Sequence, residues 1–174
     1  MRIGIVSDSH GKADRLAVAM KTFADHGCHV IVHCGDISNR SSVEALAHSP
    51  MDAYLVAGNM DRHYTDLPLH AHHAGIHFHP LFIEVPLGDG RHLVAAHGHQ
   101  QELLAELIAG WQFPYLCHGH THRRRDERDR TVRIICPGAL WRPRKPSRPS
   151  VAVLDTDSDE LAFIDLSNRP CPRL

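Results

Sequence analysis

Five short segments place carboxylate, amide or imidazole side chains beside glycine: Asp8-Ser9-His10, Gly35-Asp36, Gly58-Asn59-Met60-Asp61, His97-Gly98-His99 and Gly119-His120-Thr121-His122, the first with its glycine at position 11. Mixed oxygen and imidazole donors suit divalent Mn, Fe, Co, Ni or Zn better than a thiolate site or an all-oxygen site would. Histidine is also abundant, 17 of 174 residues, and it is the commonest metal ligand. In so His-rich a chain one H-x-H pair says little, and there are five, starting at His70, His77, His97, His118 and His120. A lone Gly-Asp or Gly-Asn is an ordinary turn signal. The information lies in the order of the segments, because each follows an apolar run.

Those runs are the elements that must position the ligands. Ile3 to Val6 reads as a strand buried on both faces. Leu16, Met20, Phe23 and Ala24 form one helical stripe within Ala13 to His26, and Gly27 follows as its cap. Val30 to Val32, a helix over Ser41 to Ala47 with serine caps, and Ala53 to Ala57 continue the strand–helix alternation of a parallel α/β sheet. Ile76 to Val85 and Arg91 to Ala96 flank Gly88-Asp89-Gly90 as a hairpin, and Gln101 to Ile108 reads as a helix. Short β-prone runs follow at Pro114 to Cys117, Val132 to Ile135, Val151 to Leu154 and Leu161 to Leu166. In open α/β sheets ligands bind beyond the carboxyl ends of the strands, so the five segments should converge on one edge.

Composition narrows the function. At 174 residues the chain is expected to form a single domain, 1–174, and 43% apolar with 22% charged residues excludes disordered and fibrous classes. A formal charge of -1 offers no field for a polyanion or an anionic membrane. No run reaches the length of a membrane helix and the first residues lack a signal peptide, so a cytoplasmic protein is expected. Five cysteines without a C-x-x-C pair (Cys28, Cys34, Cys117, Cys136, Cys171) read as reduced buried thiols.

The ordered set D-x-H, G-D, G-N-x-D, H-G-H and G-H-T-H resembles the calcineurin-like metallophosphoesterases. The chain's small size and Cys136-Pro137-Gly138-Ala139 resemble the compact bacterial and archaeal YfcE-type phosphodiesterases within them. The resemblance covers Met1 to about Leu166 and implies a four-layer α/β/β/α sandwich with a two-metal site at the C-terminal ends of the strands. It implies Asp8, His10, Asp36 and His122 as ligands of one ion, and Asp36, Asn59, His97 and His120 of the other, with Asp36 bridging. It also implies two divalent transition-metal ions, manganese first among Mn, Ni, Co, Fe and Zn. Such a pair can hold a bridging hydroxide that attacks a phosphoester in line.

Two departures matter. Many relatives read G-N-H-[DE], with a His placed to protonate the leaving oxygen, whereas this chain has Met60, which carries no proton to give. General acid catalysis is worth about 10² to 10⁴ in rate, so diesters or aryl esters with good leaving groups are favoured unless His99 or His63 substitutes. Where relatives tend to read N-P-G-S, this chain has Cys136-Pro137-Gly138-Ala139. Asp61 reads as a carboxylate that orients a ligand or a His, and His99 as a substrate-contacting or proton-transfer residue. Ser9 and Thr121 read as backbone hydrogen-bonding residues.

His70 to His79 reads as an exposed loop leading into a strand, with Ile76 and Phe78 inward and His77 and His79 outward, in preference to an accessory metal site. Arg123 to Arg125, with Arg128 and Arg130, reads as a solvated hairpin tip, and Arg142 to Pro146 as a second basic surface loop. The resulting expectation is a dinuclear-metal phosphodiesterase of small organic or nucleotide diesters, with long nucleic acid and membrane disfavoured and a homo-oligomer left open. The alternative is a non-catalytic protein-interaction module of the same fold, like the retromer subunit whose metal site is degenerate.

Overall fold

The computed structural model describes residues 1–110 and 112–167. The first half runs β1 (Arg2–Val6), α1 (Ala13–Asp25), β2 (Val30–His33), α2 (Arg40–Ala47), β3 (Asp52–Val56), a single 3-10 turn (Asp61–His63), α3 (Leu67–His73) and β4 (His77–His79). The second half adds β5 (Phe82–Pro86), β6 (His92–Ala96), α4 (Gln101–Gly110), β7 (Tyr115–Cys117), β8 (Arg124–Asp129), β9 (Val132–Pro137), β10 (Ser150–Asp155) and β11 (Glu160–Asp165).

Two mixed sheets result. The six-stranded sheet has the order β11-β10-β1-β2-β3-β4, with β1 to β4 parallel and β10 antiparallel to β1. The five-stranded sheet has the order β5-β6-β7-β9-β8, with β6, β7 and β9 parallel. Ile3, Ile5 and Val32 of one sheet meet Val85, Leu93 and Ile135 of the other in a buried layer between them. Leu16, Phe23, Leu46 and Leu67 bring α1, α2 and α3 onto the outer face of the first sheet. Leu104, Leu107 and Ile108 of α4 pack on Val94, Leu116 and Ile134 outside the second. The layers are therefore helix, sheet, sheet, helix, and the strands that end at candidate ligands lie in both sheets.

Several local expectations are corrected. The N-cap of α2 is Asn39, whose side chain accepts the Ser42 N–H at 2.9 Å; Ser41 and Ser42 lie inside the helix. The run from Ile76 to Val85 is two strands, β4 in the first sheet and β5 in the second, because the chain turns at Pro80-Leu81 and changes sheet. His70 to His73 lie in α3, which buries Leu67 and Ala71 one turn apart, whereas His77 and His79 are exposed and Ile76 is buried as expected. Arg124 to Asp129 are an edge strand paired along β9, and the tip is only Arg130-Thr131. Cys28, Cys34, Cys117 and Cys136 are free and buried; Cys171 lies outside the described residues.

Candidate metal centre

Each candidate ligand follows the carboxyl end of a strand: Asp8 and His10 follow β1, Asp36 follows β2, and Asn59 and Asp61 follow β3. His97 and His99 follow β6, while His120 and His122 follow β7. Backbone hydrogen bonds tie these loops together, from Asp8 N to the Gly35 carbonyl (3.0 Å), His10 N to Asp36 (2.9 Å) and Gly119 N to His97 (3.0 Å). Two glycines allow the close approach. A Cβ at Gly119 would stand 1.8 Å from Ser7 Oγ, and one at Gly58 would stand 2.1 Å from Asp36 Oδ1.

At the centre, Asp36 Oδ2 lies 3.5 Å from His97 Nε2 and 3.9 Å from His10 Nε2. Asp8 Oδ1 lies 3.2 Å from His122 Nε2 and 3.9 Å from His10 Nε2. The two imidazoles His10 and His122 approach at 3.3 Å between Nε2 atoms. Among the described residues, two groups bring three His or Asp ligand atoms within 4.8 Å of one another: Asp8, His10 and His122, and Asp8, Asp36 and His97. Asn59 Oδ1 joins the second at 3.1 Å from His97 Nε2. His120 stands at the rim, its exposed ring edge-on to His97 at 5.3 Å between centroids and its backbone N–H donated to Asp8 Oδ2.

The surrounding hydrogen bonds determine what these atoms can hold. His97 Nδ1 bonds the Cys34 carbonyl at 2.7 Å and His122 Nδ1 the Arg142 carbonyl at 2.8 Å, so both rings must donate through Nδ1. That leaves Nε2 of each ring facing carboxylate or amide oxygen, a juxtaposition that needs a proton or a cation on Nε2. Asp8 Oδ1 is buried without a hydrogen-bond partner among the described residues, while Asp8 Oδ2 accepts from Ser7 Oγ at 2.6 Å. Buried acceptors facing lone pairs fit a divalent cation.

Electrostatics point the same way. Burial by itself would raise the Asp8 carboxyl, but His122, His97 and Ser7 outweigh it and hold the group below the usual carboxylate range. Burial is likewise overcome at Asp36 by His97 and by the Met60 N–H, donated to Asp36 Oδ1 at 2.8 Å. His97 is raised despite burial because Asp36 and Asp8 face it, and His122 is raised chiefly by Asp8. His120 and His99 are lowered, by burial first and by His97 next. The centre thus keeps its carboxylates anionic.

Asp61 touches backbone. It accepts N–H bonds from Asp36 (2.9 Å), Ser38 (2.7 Å) and Gly58 (2.7 Å), joining the loops after β2 and β3; no imidazole bonds to it among the described residues. Burial nevertheless raises its carboxyl. His99 packs 5.4 Å from His97 between ring centroids, with its Nδ1 buried and without a hydrogen-bond partner among the described residues. Met60 is exposed. Thr121 Oγ1 lies 3.4 Å from its Arg123 carbonyl acceptor.

Sequence reasoning missed His33 and the role of Ser7. His33 ends β2, is fully buried, and contacts Ser9 Oγ at 3.0 Å through Nε2. A histidine directly after the apolar run Val30 to Val32 was the available signal. The Cys34 and Arg142 carbonyls that orient the two ligand rings carry no signal in sequence, because any residue supplies a carbonyl.

The chain matches the calcineurin-like phosphoesterase superfamily domain over residues 1–159. The phosphodiesterase MJ0936 of Methanocaldococcus jannaschii is 27% identical over 169 residues, which cover 95% of this chain and 99% of that one. A solved archaeal phosphodiesterase superposes with a TM-score of 0.84 at 27% identity, covering 95% of this chain and 100% of its own. The fold is shared with YfcE, a phosphoesterase from E. coli, at a TM-score of 0.65 and 24% identity, over 96% of this chain and 100% of that one.

Proposed function

This chain belongs to the calcineurin-like phosphoesterase superfamily, a family of metal-dependent hydrolases, and on that premise we propose that it is a two-metal phosphodiesterase of small organic or nucleotide diesters. The carrying observation is the cluster of acceptors facing one another, His97 Nε2 against Asp36 and Asn59 oxygens, with Asp8 Oδ1 buried and unbonded beside His122. Asp8, His10, Asp36 and His122 are assigned to one ion, and Asp36, Asn59, His97 and His120 to the other. Asp36 Oδ2 supports the bridging assignment by lying between His97 and His10. Divalent ions bound there supply an activated water and neutralise phosphate oxygens.

The chain's own residues hold the remaining parts. Asp61 fixes the backbone of the Asp36 and Asn59 loops, and the Cys34 and Arg142 carbonyls fix the rings of His97 and His122. Asn59 adds a neutral ligand, so the site retains attraction for an anionic substrate. Met60 carries no proton to give where many relatives have a His, which supports diesters and aryl esters unless His99 or His63 supplies the proton. Long nucleic acid is disfavoured because Arg125, Arg128 and Arg133 are engaged by Glu127, Asp159 and Asp126 of the same chain. Manganese is the metal assigned first, and the cytoplasm the compartment, in keeping with four buried free thiols.

The test is hydrolysis of bis(4-nitrophenyl) phosphate and of 4-nitrophenyl phosphate by chelator-stripped protein, with Mn²⁺, Ni²⁺, Co²⁺, Fe²⁺ or Zn²⁺ restored. Metal-restored turnover of the diester above the monoester is the expected result. Uptake of two ions without turnover of either ester would replace the enzyme by a non-catalytic interaction module.

A further inference from the structure

A cavity of about 410 Å³ opens beside the metal centre, and Asn59 and His99 belong to its wall as well as to the centre. That size lies within the range of small-ligand sites. Its other walls come from the 3-10 turn after Asn59, from α3, from the end of β4 and from the residue that precedes α4. Tyr64 and Phe78 are half-buried, pack one side on the core beneath α3, and line the cavity. Tyr64 is pinned by its hydroxyl bond to His70 Nδ1.

Apart from Asp61, the polar part of the lining is cationic or neutral. Arg62 uses Nε to donate to His63 and makes no ion pair among the described residues, and Gln100 is exposed at the mouth. The single carboxylate among the described lining residues, Asp61, already accepts three backbone N–H bonds. An ammonium-bearing substituent would therefore find no free counter-charge. A flat ring would find aromatic and apolar surface in Tyr64, Phe78, Leu67 and Pro68 and hydrogen-bonding groups in Arg62 and Gln100.

We propose that this cavity is the subsite for one ester substituent of the diester, and that it takes a planar heteroaromatic ring of the nucleobase kind. Tyr64 and Phe78 supply the surface against which the ring lies, and Arg62 and Gln100 meet its polar edge. This assignment rests on the phosphodiesterase reading, and it narrows the substrate class from organic diesters to nucleotide diesters. Since Asn59 and His99 stand at the boundary, the cavity is within reach of a substituent on a phosphorus held at the metal centre.

Two esters with one leaving group separate the subsite from the chemistry: the 4-nitrophenyl ester of thymidine 5′-phosphate and methyl 4-nitrophenyl phosphate, assayed with Mn²⁺-loaded protein. The expected ratio of kcat/KM, nucleoside over methyl ester, is roughly tenfold or more, the scale of one base–aromatic stack. Tyr64→Ala, Arg62→Ala and Gln100→Ala should each bring the ratio toward one. Calorimetry with thymidine 5′-monophosphate against methyl phosphate should give the same order of preference without turnover. Turnover of both esters at a ratio near one, or a ratio untouched by all three variants, overturns the subsite and leaves the phosphodiesterase standing. Failure to cleave either ester, with thymidine 5′-monophosphate still preferred and the preference lost in Gln100→Ala, keeps the subsite and removes the phosphodiesterase. Should Tyr64→Ala fail to fold, the two exposed-residue variants decide.

Discussion

Asp8, His10, Asp36, His120 and His122 all adopt left-handed backbone, with φ between 46° and 65°. For residues with a Cβ that conformation costs about 1–2 kcal/mol each, so the loops hold their candidate ligands under strain that the two packed sheets sustain. Asp and His are among the residues that tolerate it best, which lets one choice of residue type serve both ligation and backbone. Met60 is the residue where chemistry is missing: it is exposed and its N–H is committed to Asp36. Met60→His should raise kcat/KM for alkyl leaving groups about tenfold more than for 4-nitrophenolate, read from a leaving-group series, whereas equal gains across the series would mean that it supplies no proton. His33 makes a pH prediction. Burial pushes its imidazole down to about 4, against partial opposition from Asp8 and Asp36. The unfolded chain takes up this proton near pH 6.5 and the folded chain does not. Stability is therefore complete above pH 6.5 and declines by up to about 1.4 kcal/mol per pH unit as pH falls toward 4. Urea unfolding of metal-free His33→Gln should show a flatter profile over that window than the parent protein, and identical slopes would assign the loss to other groups.

At the scale of elements, the strands that deliver ligands were legible because each is an apolar run ending at a polar residue and a glycine. β1, β2 and β3 carry this pattern, and so do β6 and β7. What escaped sequence reading lacked an apolar period. β8 reads Arg-Arg-Asp-Glu-Arg-Asp and buries no side chain fully; its strand character comes from pairing with β9 and from Arg133 bridging to Asp126 across the pair. α3 is nearly invisible because two residues, Leu67 and Ala71, are all it buries. The change of sheet between β4 and β5 is hidden because β-prone residues lie on both sides of Pro80, Ile76 and Phe78 before it and Phe82 and Ile83 after it. Relocating the arginines from a loop to an edge strand changes what their removal does. Arg124 Nε donates to Ser150 Oγ at 3.0 Å and its guanidinium lies 5.7 Å from the Phe163 ring centre, joining the edges of the two sheets. Arg124→Ala should lower unfolding stability by about 1 kcal/mol and leave KM for a small diester within twofold; a raised KM with unchanged stability would return Arg124 to the substrate.

At the scale of the molecule, the candidate centre fastens the two sheets to each other, since Asp8, His10 and Asp36 come from one and His97 and His122 from the other. Ions that bind only the folded chain stabilise it by mass action, about 2.7 kcal/mol at a hundredfold excess over Kd. For a chain of this length that corresponds to a Tm about 5 to 10 °C higher with Mn²⁺ than with chelator, measurable by scanning calorimetry, and coincident melting curves would mean that no ion bridges the sheets. No helix among the described residues is long and apolar enough to cross a membrane. β1 sits in the interior of its sheet between β2, which follows it within 30 residues, and β10, whose Asp155 lies opposite Arg2. During synthesis β1 thus waits for β10, which starts at Ser150, to close its open side. At about 5 to 20 residues per second that wait is on the order of ten seconds or more, during which an apolar strand bearing the Asp8 and His10 loop has an unpaired edge. Nascent chains that stop short of β10 are therefore the species that chaperones must shield, and full metal uptake should come only after β10 has paired with β1.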